Sequence, residues 1–201
     1  MQKRQFLLTS TAALAGAALA LAGCSTTTTS QTSGGVATNA GTNANKRREI
    51  DSGVNNTLDR LFSTVKGSRE LVGKARGVLV FPSVLAAGFV VGGEYGEGAL
   101  RTGGATQGYY NTVTASFGLQ IGAQSKAVIF LFMTQDALDT FQRRDGWTVG
   151  ADASVALVKV GASGSIDTNT ATAPVQVIVM TNAGLMANLN VEGTKVSRLN
   201  I

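Results

Sequence analysis

A chain with no histidine can build neither a Ser-His-Asp nor a Cys-His catalytic group, nor a histidine-ligated zinc centre, and this 201-residue chain has none. Its one cysteine can close no internal disulfide, and its two prolines leave the backbone almost unpunctuated by that residue. Charged residues are only 14% of the composition. No Gly-Lys-Ser/Thr closes a phosphate loop, no alternating Asp/Asn set marks a calcium loop, and no nucleophile motif marks a serine. What is abundant is glycine, 25 residues, in a chain that is 44% hydrophobic. These shortages point to a protein that is not an enzyme and holds no metal or cofactor.

The first 23 residues have the form of an export signal: Lys3 and Arg4, an apolar run through Leu21, then small residues. Leu21-Ala22-Gly23-Cys24 matches the bacterial lipobox, and the only cysteine stands at its last position. Apart from Cys24, Gln31 and Val36, residues 24–45 are Thr, Ser, Asn, Gly and Ala with no charge and no apolar period, so the reading is a disordered tether. A flexible chain of this length spans about 25 Å, which keeps the remainder of the protein close to the anchoring point.

Charge is uneven beyond the tether. From Lys46 to Arg76 eight basic residues (Lys46, Arg47, Arg48, Arg60, Lys66, Arg69, Lys74, Arg76) face four acidic ones, a net +4, while Gly77 to Ile201 balances to −1. Residues 46–76 therefore form a basic module placed just after the tether. Ile50, Val54, Leu58, Leu61, Phe62 and Val65 fall on one face of a 3.6-residue period, which predicts an amphipathic helix. Gly67-Ser68 ends it, with Ser68 as the cap of a second short helix carrying Leu71, Val72 and Ala75. Two readings of the stripe remain open: it covers a sheet as core, or it lies among acyl chains with its cations on anionic phosphates.

Residues 77–201 read as a glycine-rich sheet body. Apolar runs of strand length (Val78–Phe81, Phe89–Val91, Ala127–Met133) are interrupted by glycines, which inside strands signal bulges, bends or close backbone approach. Thr134 and Asp136 open a helix over Ala137, Leu138 and Phe141, which ends at Arg143, Arg144 and Gly146. Trp147–Gly164 continues as a strand, a turn follows at Asp167–Thr172, and Val175–Met180 with Leu185–Val191 makes a hairpin around Asn182–Gly184. The predicted fold class is α+β: a strongly curved or barrel-like antiparallel sheet with N-terminal amphipathic helices and one further short helix.

Gly92-Gly93-Glu94-Tyr95-Gly96-Glu97-Gly98 is either a structural glycine bend or a loop that places Glu94, Tyr95 and Glu97 near a bound headgroup. On a strand, Glu94 and Glu97 would point to opposite faces, a poor geometry for paired-carboxylate chemistry.

Three stretches, GVLVFPSVLAAGFVVGGEYGEGALR, GYYNTVTASFGLQIGAQSK and FQRRDGWTVGADASVALVKVGASG, resemble the SYLF domain, and the likeness runs from about Leu58 to Ile201. The resemblance implies a lipid-binding module; eukaryotic members are associated with phosphoinositide membranes and, in fungi, with actin, whereas bacterial members are usually exported lipoproteins. From Tyr109 to Lys126 the chain looks like the bacterial branch and lacks the Trp-Ser-x-Pro run of eukaryotic relatives, which weighs against actin binding and phosphoinositide selectivity. The likeness to bacterial lipoproteins implies that Cys24 carries a diacylglyceryl thioether and an amide-linked acyl chain, such as palmitate. With Ser25 following, it implies an outer-membrane destination on the periplasmic or surface side. The expected function is binding of an anionic phospholipid membrane through the basic helices, with docking on an acidic envelope protein as the alternative. Export and the even charge of the sheet argue against nucleic acid.

Overall fold

The structure is a computed structural model that describes residues 34–118, 124–158, 166, 173–181, 184–185 and 191–201. The export signal, Cys24, the first part of the tether, the turn at 167–172 and most of the strand expected over 185–191 lie outside the described residues. Gly35–Ile201 form one compact unit.

Helix α1 spans Gly34–Thr64 and α2 Ser68–Lys74. Strands β1 (Gly77–Thr102), β2 (Ala105–Gly118) and β3 (Gln124–Phe132) lead to α3 (Gln135–Arg143). The short strands β4 (Trp147–Thr148), β5 (Val155–Leu157), β6 (Val175–Thr181), β7 (Gly184–Leu185) and β8 (Lys195–Arg198) complete the chain. The eight strands make one strongly curled half-barrel in the order β4-β8-β2-β1-β3-β6-β5, with β7 paired to β6. The α+β class and the curved sheet are as expected.

Strand β1 is the axis of the sheet. Its first part, Gly77–Ala86, pairs with β3, and its last part, Val90–Thr102, pairs with β2. The glycines expected to interrupt this segment lie inside one 26-residue strand. They mark close approach: a Cβ at Gly98 would collide with the carbonyl oxygen of Val80, and one at Gly96 would lie 2.9 Å from Ser83 O. The two halves of β1 thus cross backbone to backbone, which only a residue without a side chain permits.

Both faces of the central strands are covered. On one face Leu79, Phe81, Phe130, Phe132 and Val177 pack with Leu138 and Phe141 of α3 and with Trp147. On the other Val78, Val80, Ala99, Ile129, Leu131 and Ile178 pack with Ile50, Val54, Leu61 and Val65 of α1. This decides the apolar stripe: it is core. Leu58 and Phe62, on the same stripe, are partly buried against that cluster. Gly53 has a packing reason as well, since a Cβ there would lie 3.0 Å from the Pro82 ring. Among the described residues, the buried members of both cores lie between Ile50 and Val196.

Four local expectations change. Helix α1 reaches back to Gly34, so residues 34–45, expected as tether, are helical; once the packed stripe has nucleated the helix, each added residue contributes a bond, and Ala37, Ala40 and Ala44 favour it. Ser68 does not cap α2: Gly67 stands at the cap with φ 82°, and the buried Ser68 Oγ lies 2.6 Å from Val65 O and 3.1 Å from Leu61 O, donating to the end of α1 instead. Trp147–Gly164 is not one strand, because a turn at 149–153 separates β4 from β5. Finally, β5 runs parallel to β6, which the long connection between them allows. The cap of α3 is as read, with Thr134 Oγ1 accepting from Ala137 N at 3.3 Å.

Candidate functional site

The basic residues of the N-terminal module do not form one patch. Arg48 and Arg60 are separated by twelve residues of α1, about 18 Å of helix. Helix geometry turns one cluster in sequence into two in space.

Near the middle of α1, Lys46 Nζ lies 2.7 Å from Glu97 Oε1 of β1, and the same oxygen accepts from Tyr95 OH at 2.7 Å. Burial, then the bond to Glu97, pushes the Tyr95 phenol up to about 12. Arg47 Nη1 donates to the backbone oxygen of Ile201 at 3.0 Å. Arg48 is exposed. Toward the C-terminal end of α1 and around α2, Arg60 is half-buried, while Lys66, Arg69, Lys74 and Arg76 are exposed. The Arg69 guanidinium lies over the Phe62 ring at 4.3 Å, and Lys74 pairs with Glu70 at 2.7 Å. The hydrogen bond and charge of Lys74 hold the Glu70 carboxyl below its ordinary range. Arg48, Lys66 and Arg76 have no acidic partner among the described residues.

Of the two readings of this segment, neither a bend nor a loop is seen at Glu94, Tyr95 and Glu97, which lie within strand β1. Alternation along the strand separates them. Glu97 and Tyr95 face α1, while Glu94 turns inward to Lys126 of β3, whose Nζ lies 2.8 Å from Oε1 and 2.7 Å from Oε2. Both members of that inner pair are 11% exposed, beside Thr112, Thr114 and Thr194. Lys126 was not singled out in the sequence; its only signal is that it borders an apolar strand opposite a glutamate in an equally apolar one.

A second unforeseen cluster holds α1 to the sheet. Asp51 accepts from Thr106 Oγ1 at 2.9 Å and Tyr109 OH at 2.8 Å, and Arg101 Nη2 lies 3.6 Å from its Oδ1. Arg101 Nη1 also donates to Asn55 Oδ1 at 2.5 Å. Burial, then the bond to Asp51, pushes Tyr109 up to about 12.

Between α1 and β1 runs an open groove of about 470 Å³, walled by Glu49, Ile50, Pro82, Leu85, Tyr95 and Glu97. Among the described residues, no helix is long and apolar enough to cross a membrane, and no three acidic or cysteine side chains converge as a metal site. Trp147 and Tyr110 are buried in the α3-side core.

Residues 113–200 match the Ysc84 family, described as Las17-binding protein actin regulator. No curated protein matches the chain. The match agrees with the SYLF resemblance and covers the end of β2 through β8, including α3. The basic helices lie outside the matched segment, so their role rests on their own geometry.

Proposed function

We propose that this SYLF-type protein is a non-enzymatic module of the bacterial envelope, anchored by lipid on Cys24, that contacts anionic phospholipid through the charged outer rim of α1 and α2. The observation that carries the reading is the placement of Arg48, Lys66 and Arg76, exposed on the helical layer and without acidic partners among the described residues. With the apolar stripe of α1 used as core, headgroups are met by charge, each cation near an anionic surface contributing ~1 kcal/mol. The anchor on Cys24 raises the effective concentration of this weak contact.

Residues 35–201 should co-sediment with phosphatidylglycerol vesicles, less so in high salt, and replacing Arg48, Lys66 and Arg76 by Ala should weaken binding by up to about a hundredfold, from ~1 kcal/mol per cation. Equal binding to neutral vesicles at every salt concentration sinks the proposal. The description of the matched family as a protein-binding regulator favours a second reading, a scaffold whose basic helices dock on an acidic envelope protein. A single protein adduct at Arg48 on crosslinking in intact cells, in place of lipid adducts, would select it.

A further inference from the structure

The exposed large apolar side chains of the described residues lie together. Leu85 is 55% exposed, Tyr95 47% and Val113 50%. Tyr95 is the partner of Val113 in the β1–β2 register, and Val113 is in turn the partner of the exposed Lys195 on β8. Directly opposed residues of a sheet share a face, so Tyr95, Val113 and Lys195 make one row across three strands, about 10 Å from first to last. On the other side of Tyr95 opens the groove walled by Leu85, Pro82 and Glu49, and among the described residues none of its walls comes from β2 or β8. Groove and row form one continuous strip of the kind that marks an interaction surface.

The strip is apolar in its middle and carries opposite charges at its ends. Glu49 stands on the α1 wall of the groove, Lys195 at the far end of the row, and neither has an ion-pair partner among the described residues. Between them Lys46 and Glu97 neutralise each other at 2.7 Å. An apolar centre with a polar rim is the anatomy of a protein interface, in which tyrosine is enriched. Unmatched charges of both signs at the rim set register with a complementary partner. They weigh against entry into acyl chains, because the charges would have to leave water together with the apolar centre.

We propose that this strip docks a protein segment that presents a cation to Glu49, a bulky apolar side chain to the groove beside Leu85 and Tyr95, and a carboxylate to Lys195. In an extended segment, residues four apart lie about 13 Å from each other on the same face. That reach carries a carboxylate from the groove past Tyr95 and Val113 to the Lys195 ammonium. Exchanging the two charges of the segment would set like against like at both ends, so the sign order is the selective element. The surface is small, and the association it supports is of the weak, transient class. It uses none of Arg48, Lys66 and Arg76, so it goes beyond the lipid reading and stands or falls without it.

Two fluorescein-labelled peptides test it by anisotropy on the full-length protein: Lys-Ser-Phe-Ser-Gly-Ser-Glu, and the same peptide with its charged ends exchanged, Glu-Ser-Phe-Ser-Gly-Ser-Lys. The first should bind about tenfold more tightly, since two matched charge pairs are set against two opposed ones. The double variant Glu49→Lys with Lys195→Glu should invert that order. Leu85→Ser, at an exposed position, should weaken the first peptide by about threefold or more with an unaltered melting temperature. Equal binding of the two peptides, or binding of neither at millimolar concentration, overturns the proposal; if phosphatidylglycerol sedimentation persists, the lipid reading stands without it. Loss of that sedimentation in Leu85→Ser overturns it in favour of a lipid surface. Self-association abolished by Leu85→Ser, with neither peptide competing, overturns it in favour of a second copy of this chain.

Discussion

The two faces of the half-barrel are closed by different chemistry. On the α3 side, rings pack on rings: Trp147 stands edge-on to Phe130 at 5.8 Å and to Phe141 at 5.5 Å, and Phe141 tilts against Phe132 at 4.8 Å and Tyr110 at 4.9 Å. On the α1 side the core is aliphatic, and the helix is held in addition by polar bonds at its edges, Asp51 to Tyr109, Thr106 and Arg101, and Lys46 to Glu97. Large rings bury more area per residue and add specific edge contacts, so the α3 face is a fixed wall. The α1 face depends in part on charges and hydroxyls that solution conditions can alter. The face carrying the basic rim is thus the more responsive of the two.

The largest expected effect tests the ring wall. Trp147→Ala should destabilise by about 3 to 5 kcal/mol, and Leu61→Ala on the other face by about 2 to 5, with the tryptophan the greater loss in urea unfolding. A Leu61 variant that loses as much as the tryptophan variant would erase the asymmetry. Next comes the clamp. Asp51→Ala strands the Tyr109 and Thr106 hydroxyls and the Arg101 guanidinium, and should cost about 1 to 3 kcal/mol, with amide exchange accelerated in α1 more than in α3.

The smallest expected effect is a slope with pH. Tyr109 is pushed up to about 12 by burial and by its bond to Asp51, whereas a phenol in an unfolded chain ionises near pH 10. The fold favours the neutral form, so this contribution is whole below about pH 10 and fades as pH rises through 12. Tyr95 acts in the same direction. The melting temperature should fall over that interval, and Tyr109→Phe should flatten the decline; an unchanged slope would detach the phenol from the clamp.

Much of this architecture was legible in the chain. The period of Ile50, Val54, Leu61 and Val65 located α1, and Thr134 with Gly146 bounded α3, because helix signals are local. Strand β1 was harder. A glycine that ends a strand and one that lets two backbones cross look alike until the partner is known, and Gly98 meets Val80 only in three dimensions. The pairings of Asp51 with Tyr109 and of Glu94 with Lys126 join residues far apart in sequence, for which no periodicity exists. The basic run was plain to see, but its division between the middle of α1 and the α1–α2 corner was not.

Strand β8 closes the far wall by pairing with β2, Tyr110 against Arg198 and Val113 against Lys195. Strand β2 meets β1 across a tight turn and can pair early, but it waits for its second neighbour until Lys195–Arg198 have been synthesised, since non-local contacts form late. Until then its free edge, beginning beside the exposed Val113, resembles the open strands through which chains join one another. A polypeptide of this design is most vulnerable to wrong partners before Lys195–Arg198 have paired with β2, and that pairing ends the exposure.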